Sequence, residues 1–143
     1  MKKILVATDG SAGADRAVDV AAELAKSLGA GLLILTIQEE PSREVVEAYA
    51  AIEHVGESEV SALTARTLLT HARERAKRAG VGDIQNQAET GDPTKMILQV
   101  ARQRKVDAIV VGKRGRGSLA GLLLGSVSQK LVSLAPCNVI VVP

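Results

Sequence analysis

The chain has 143 residues, of which 46% are hydrophobic, yet it contains no tryptophan, no phenylalanine and a single tyrosine. The net charge of +2 is too small to indicate a polyanionic partner, and a nucleic-acid platform would need stacking aromatic side chains, so we expect no nucleic acid. The length predicts one domain, residues 1–143, and the single cysteine excludes an internal disulfide and fits a reducing compartment.

The amino-terminal part predicts a strand, a turn and a helix. Residues 2–8 (KKILVAT) form the first strand, and a helix follows over residues 12–28, where Gly29 is typical of a helix C-terminus. The apolar run 4–7 is too short for a secretion signal, and no stretch approaches a membrane span, so we expect a cytoplasmic protein without a membrane partner.

Asp9 is expected at the end of this first parallel strand. It would face a ligand or cap the helix, and both roles stay open.

The middle of the chain alternates in the same way. Residues 31–38 (GLLILTIQ) predict a second buried strand, and residues 41–78 predict a helical region broken near residue 56. We expect the basic cluster at residues 73–78 to be a solvated end of this region. Residues 83–89 have the polar alternation of an edge strand, and a helix is predicted over residues 94–104, with Pro93 near its first turn.

The last third supplies two more strands and one helix. Residues 108–111 form a short apolar run, typical of a buried strand, and residues 137–142 predict the final strand, with Cys137 as a small core residue. Between them a helix over residues 126–134 is expected to pack through Val127, Leu131 and Leu134. Five strands alternating with helices predict a doubly wound α/β fold with right-handed crossovers.

A glycine-rich basic loop follows the strand at residues 108–111. Glycines allow backbone N–H groups to approach an anion, and the helix that begins at Ser126 adds unpaired N–H groups and a positive dipole end. The Gly-Lys-Ser/Thr tripeptide of P-loop enzymes is absent. The dinucleotide pattern Gly115-x-Gly117-x-x-Ala120 is present, but it lacks its acidic residue, because no Asp or Glu occurs after Asp107.

A third spacing fits in full. Gly112-x-x-Gly115, nine further residues and then Gly125-Ser126 resemble the nucleotide loop of the universal stress protein family, in its ATP-binding branch. The resemblance extends over the whole chain, from KKILVATDGS through ETGDP to APCNVIVVP. It implies an open, doubly wound, Rossmann-like sheet of five parallel strands in the order 3-2-1-4-5, with helices on both faces.

The resemblance also implies a function. It predicts an ATP-binding sensor or switch in stress response, with at most slow ATP hydrolysis or autophosphorylation and no identified catalytic residue. Mg²⁺ or Mn²⁺ would be carried on the phosphates, because these hard cations prefer oxygen ligands. The residues implied for the nucleotide site are Ala7, Asp9, Ile37, Val111, Gly112, Arg114, Gly115, Gly125, Ser126 and Val127.

Two other functions remain open at this point. The small-residue turn at residues 9–13 would also suit an adenine-nucleotide hydrolase that cleaves between the α- and β-phosphates. Alternatively, the chain would be a nucleotide-free dimeric interaction module. The final strand is apolar and would lie at a sheet edge, and relatives commonly dimerise there, so we expect a homodimer through residues 138–142.

Overall fold

The structure, a computed structural model, describes residues 1–39, 48, 57–113 and 124–143, and the side chains of the second helix from residue 62 onward. The expectations for residues 40–47, 49–56 and 114–123 lie outside these described residues. The elements are β1 (Lys3–Ala7), α1 (Ala12–Leu28), β2 (Gly31–Gln38), α2 (Glu57–Arg78), β3 (Ile84–Thr90), α3 (Pro93–Arg104), β4 (Ala108–Gly112), α4 (Ser126–Leu134) and β5 (Asn138–Val142).

The five described strands form one parallel sheet in the order β3-β2-β1-β4-β5, which confirms the predicted fold class. α1 and α2 cover one face, and α3 and α4 cover the other. The first half of the chain builds the sheet outward from β1 in one direction, and the second half builds it in the other. The strand order therefore reverses between β1 and β4, and a crevice opens at that point.

Helix boundaries follow from local capping chemistry. The Ser11 hydroxyl accepts the Ala14 N–H at 3.1 Å and begins α1, which ends at Gly29 with a left-handed φ of 65°. The Asp92 carboxylate accepts the Lys95 N–H at 3.0 Å and caps α3, whose first residue is Pro93. Ser11 and Asp92 thereby place two turns beside the crevice, whereas Gly29 lies at the opposite edge of the sheet, before β2.

The core is aliphatic, as the composition predicts. β1, β2 and β4 are central and buried on both faces, so their sequences are nearly continuous apolar runs. The alanines of α1 allow this helix to pack closely against the sheet. Cys137 packs against the second core layer, and burial raises the pKa of its thiol, in keeping with a core residue.

One side-chain expectation was wrong, and a second held only for Lys77 and Arg78, which are exposed. Leu134 is 57% exposed although it lies three residues after the buried Leu131, because it is the last residue of α4 and lies beyond the part of the helix that packs on the sheet. The basic end of α2 is not simply solvated. Arg75 donates to both carboxylate oxygens of Asp19 on α1, at 3.0 and 2.6 Å, and Arg73 donates to the Ile84 carbonyl at 2.9 Å. These contacts hold α2 against α1 and the start of β3.

The amino-terminal end of the sheet is held by one carboxylate. Asp107, just before β4, accepts the backbone N–H groups of Lys2 and Lys3 at 2.7 and 2.9 Å, and both bonds lower the pKa of Asp107.

Among the helices described, none is long and apolar enough to cross a bilayer.

Candidate functional site

A cavity of about 560 Å³ opens at the carboxyl ends of β1, β2 and β4, at the position where the strand order reverses. The starts of α1 and α4 close two of its sides, and Thr64 and Leu68 of α2 form a third. Its volume lies within the range of small-molecule sites, about 300–1,000 Å³. The cavity therefore has the volume of a small-molecule site and lies at the position expected for an open α/β sheet.

The structure brings together the predicted site residues that it describes. They come from four separate segments of the chain and all line this cavity. Arg114 and Gly115 lie outside the described residues. The eight residues placed here are Ala7, Asp9, Ile37, Val111, Gly112, Gly125, Ser126 and Val127.

The turn between β1 and α1 is organised by its own side chains. Asp9 Oδ1 accepts the Ser11 N–H at 2.9 Å, and Thr8 Oγ1 accepts the Gly10 N–H at 3.2 Å. Ser11, rather than Asp9, caps α1. Asp9 also lines the cavity, so the same residue shapes the turn and borders the crevice.

The end of β2 presents its backbone to the cavity. The odd-numbered residues of β2 pair toward β1, since the Gly31 N–H donates to the Lys2 carbonyl and the Leu35 carbonyl accepts the Thr8 N–H. By this alternation the N–H and C=O of Ile37 also point toward the β1 side, beyond the last residue of β1. The strand register thus leaves one backbone donor and one backbone acceptor of Ile37 beside the cavity.

A buried threonine supports this arrangement. Thr36 is 1% exposed, and its hydroxyl donates to the Thr8 carbonyl at 2.8 Å. The bond joins β2 to the chain just after β1 and fixes the floor of the cavity. Our sequence analysis missed Thr36, although a polar residue inside the apolar run LLILTIQ was a usable signal.

β4 and α4 form the opposite wall. The Lys113 carbonyl accepts both the Gly125 N–H at 2.8 Å and the Ser128 hydroxyl at 2.9 Å, so the chain enters α4 directly beside the end of β4. Gly125 occupies the N-cap position of α4, and no side chain in the described part of the chain caps this helix. The first N–H groups of α4 are thus available to an anion. Ser128 was also missed, because its partner is distant in sequence.

Gly112 is needed for packing. A Cβ on Gly112 would lie 3.0 Å from both the carbonyl carbon and the carbonyl oxygen of Gly13, in the first turn of α1. Real Cβ atoms tolerate such contacts only if the neighbour moves, and here the neighbour is helix backbone. The glycine therefore brings the end of β4 and the start of α1 together at the crevice.

Charge is distributed unevenly around the cavity. Asp9 and Glu39 lie at the ends of β1 and β2, whereas Lys113 and the positive dipole end of α4 lie on the other side. Among the described residues, no group of three or more His, Cys, Asp or Glu side chains is placed to hold a metal ion. The wall formed by β4 and α4 is accordingly the more positively charged side of the cavity.

The fold and this cavity define an open, doubly wound α/β protein with a ligand-sized crevice at the point where its strand order reverses. The chain belongs to the universal stress protein family, because the profile of that family matches residues 1–143. A universal stress protein of Thermus aquaticus is 37% identical over 145 residues, covering 99% of this chain and 98% of that protein.

Solved structures agree with this assignment. The universal stress protein UspA from Lactobacillus plantarum matches with a TM-score of 0.82 at 26% identity, covering 99% of this chain and 97% of that chain. A universal stress protein solved in complex with cAMP matches with a TM-score of 0.75 at 29% identity, with the same coverage of both chains. The resemblance found in the sequence is therefore confirmed at the level of family and fold.

Proposed function

We propose that this protein binds ATP in the cavity between β1, β2 and β4 and acts as a nucleotide-dependent sensor or switch. The observation that carries the proposal is the convergence of Asp9, Ile37, Gly112 and Gly125-Ser126 on one cavity. The cAMP ligand of the related universal stress protein supports an adenine nucleotide as the ligand class.

The phosphates would lie on the wall formed by β4 and α4. The N–H groups at the start of α4 and the Ser126 hydroxyl donate there, and Gly125 leaves room for close backbone approach. Lys113 adds a full positive charge on the same side. We place Arg114 and Gly115, whose positions follow β4 directly in sequence, in the same phosphate role.

The adenine and ribose would lie on the wall formed by β1 and β2. The N–H and C=O of Ile37 point toward the β1 side, beyond the end of β1, and match the donor and acceptor pattern of an adenine edge. Asp9 would accept a hydrogen bond from a ribose hydroxyl. Aliphatic side chains such as Val111 and Ile97 then supply the apolar contact that aromatic stacking would supply elsewhere.

Mg²⁺ or Mn²⁺ would bind mainly to the phosphate oxygens. The described residues bring no set of acidic ligands together, and hard cations readily take oxygen ligands from a polyphosphate. The bound cation would neutralise phosphate charge, and the chain's own contribution is the N–H and hydroxyl donors of α4.

Slow turnover is part of the proposal. Asp9 already accepts the Ser11 N–H, and the described cavity shows no nucleophile paired with a base. ATP should therefore remain bound rather than be consumed rapidly. Release of AMP and pyrophosphate at an enzymatic rate would instead identify an adenine-nucleotide hydrolase.

The test compares ATP affinity, measured by calorimetry, in three variants. Gly125 has a φ of −71° that any residue adopts, and Asp is a favourable N-cap residue, so Gly125→Asp should fold while its carboxylate competes with phosphate. Ser126→Ala removes one phosphate donor. Ser133→Ala, on the exposed part of the same helix, is the matched control.

We expect weaker ATP binding in the first two variants and parental affinity in Ser133→Ala. Unchanged affinity in both Gly125→Asp and Ser126→Ala would remove the proposed phosphate site. If the parent chain also binds no ATP, the nucleotide-free interaction module becomes the leading account.

We further propose that the protein is a homodimer through the edge of β5. Val139, Ile140 and Val141 are only half-buried, and β5 pairs with β4 along one side. The Val142 carbonyl accepts the Lys113 N–H, so even-numbered residues face β4 and the Val141 N–H points outward. Val141→Pro should therefore give a folded monomer in light scattering, whereas a parent chain that is already monomeric would refute the dimer.

A further inference from the structure

Ser128 makes an unusual set of contacts for a helical serine. It lies one residue beyond Val127 in the first turn of α4, it is 3% exposed and it lines the cavity. Its hydroxyl lies 2.9 Å from the Lys113 carbonyl and 3.1 Å from the Gly125 carbonyl. The Lys113 carbonyl also accepts the Gly125 N–H at 2.8 Å. Ser128 therefore joins the residue after β4 to the residue that begins α4.

Helix formation does not require this contact. Serines inside helices commonly donate to the carbonyl three or four residues earlier, and Ser133 does this with Gln129 at 3.3 Å. The single hydroxyl proton of Ser128 is shared between the nearby Gly125 carbonyl and the carbonyl of Lys113, fifteen residues earlier in the chain. A buried hydroxyl costs desolvation free energy, so an alanine would suffice if only packing mattered.

We propose that Ser128 is a positioning residue for the phosphate half of the nucleotide site. Its hydroxyl fixes the first turn of α4 against the end of β4, so that the N–H groups of this turn face the phosphate chain at a set distance from Lys113. The inference rests on the proposed ATP site and extends it to a residue that does not itself touch the ligand.

Separate ligands distinguish positioning from general stability. ATP uses both walls of the cavity, whereas adenosine lacks phosphates and therefore makes no phosphate contact with the first turn of α4. Loss of the Ser128 hydroxyl should therefore weaken ATP and leave adenosine unchanged. One hydrogen bond contributes about 0.5–1.5 kcal/mol, which converts to about a two- to twelvefold loss of ATP affinity.

The experiment uses the full chain with three substitutions: Ser128→Ala, Ser128→Thr and the matched control Ser133→Ala. Calorimetry with Mg-ATP and with adenosine gives the two affinities. Hydrogen exchange of the Gly125 N–H, which donates to the Lys113 carbonyl, reports the β4–α4 junction in the absence of any ligand.

We expect Ser128→Ala to lose ATP affinity within that range, to keep its adenosine affinity and to exchange the Gly125 amide faster. Ser128→Thr, which keeps the hydroxyl, and Ser133→Ala should resemble the parent chain. Equal ATP affinity in Ser128→Ala and the parent would refute the positioning role while the ATP site stands. Parallel losses of ATP and adenosine would also refute it. If the parent binds no ATP, both the proposed function and this inference fail.

Discussion

Gly112→Ala tests whether close backbone approach is what sets the geometry of the crevice. The added Cβ would lie 3.0 Å from two backbone atoms of Gly13, and helix backbone cannot rotate away as a side chain can. Overpacking of this kind costs about 1–3 kcal/mol. For 143 residues the unfolding entropy converts this cost to a Tm lower by about 3–10 °C.

Variants at two other glycines distinguish a steric clash from the other effects of replacing glycine by alanine. Gly82→Ala adds a Cβ with no atom within 4 Å and no left-handed φ, so its Tm should equal or slightly exceed the parent value. Gly29→Ala also adds a Cβ in open space, but its φ of 65° should cost about 1 kcal/mol. Calorimetric unfolding of all three variants gives the comparison. If Gly112→Ala has the same Tm as Gly82→Ala, the steric explanation for Gly112 is wrong.

Three further variants test other parts of the fold. Asp107→Asn should lower Tm at pH 7. Because the pKa of Asp107 is lowered in the folded state, the Tm difference between the parent and the variant should close as the pH falls below about 4. A Tm difference that does not depend on pH would contradict this. Thr36→Val leaves the buried Thr8 carbonyl without its hydroxyl donor, so urea denaturation should show a free energy of unfolding lower by about 1–3 kcal/mol. An unchanged free energy of unfolding would show that this bond does not stabilise the fold. Lys105→Gly relieves a left-handed φ of 52° at the end of α3 and should raise stability by up to about 1 kcal/mol; a lower stability would indicate that the Lys105 side chain matters more than its backbone.

The strands and helix ends could be predicted because their causes are local. Short continuous apolar runs, here residues 32–35 and 108–111, are typical of parallel strands that are covered on both faces, and they identified β2 and β4. Their alternation with helices then predicted a doubly wound sheet. Gly29 and Pro93 end and begin helices through their own backbone geometry. The spacing from Gly112 to Ser126 likewise identified the family without any coordinates.

The burial and contacts of a side chain could not be predicted in this way where they depend on a residue far away in the chain. The helical period of α4 gave Leu134 the same expectation as Leu131, but only the geometry of a short helix on the sheet decided which one is buried. The arginines at the end of α2 have the pattern of a solvated helix terminus. Arg75 instead meets Asp19, which lies 56 residues earlier in the chain.

The same division applies to the candidate site. The residue types that suit an anion and a nucleotide could be identified from the sequence, because glycines and a helix start act through local backbone N–H groups and basic side chains add charge. The folded structure shows that the segments meet around one cavity, as the resemblance implied, and it alone shows that Thr36 and Ser128 hold the two walls through bonds to Thr8 and Lys113. A hydrogen bond between residues far apart in the chain leaves no periodic pattern in the sequence, so only the folded chain reveals it.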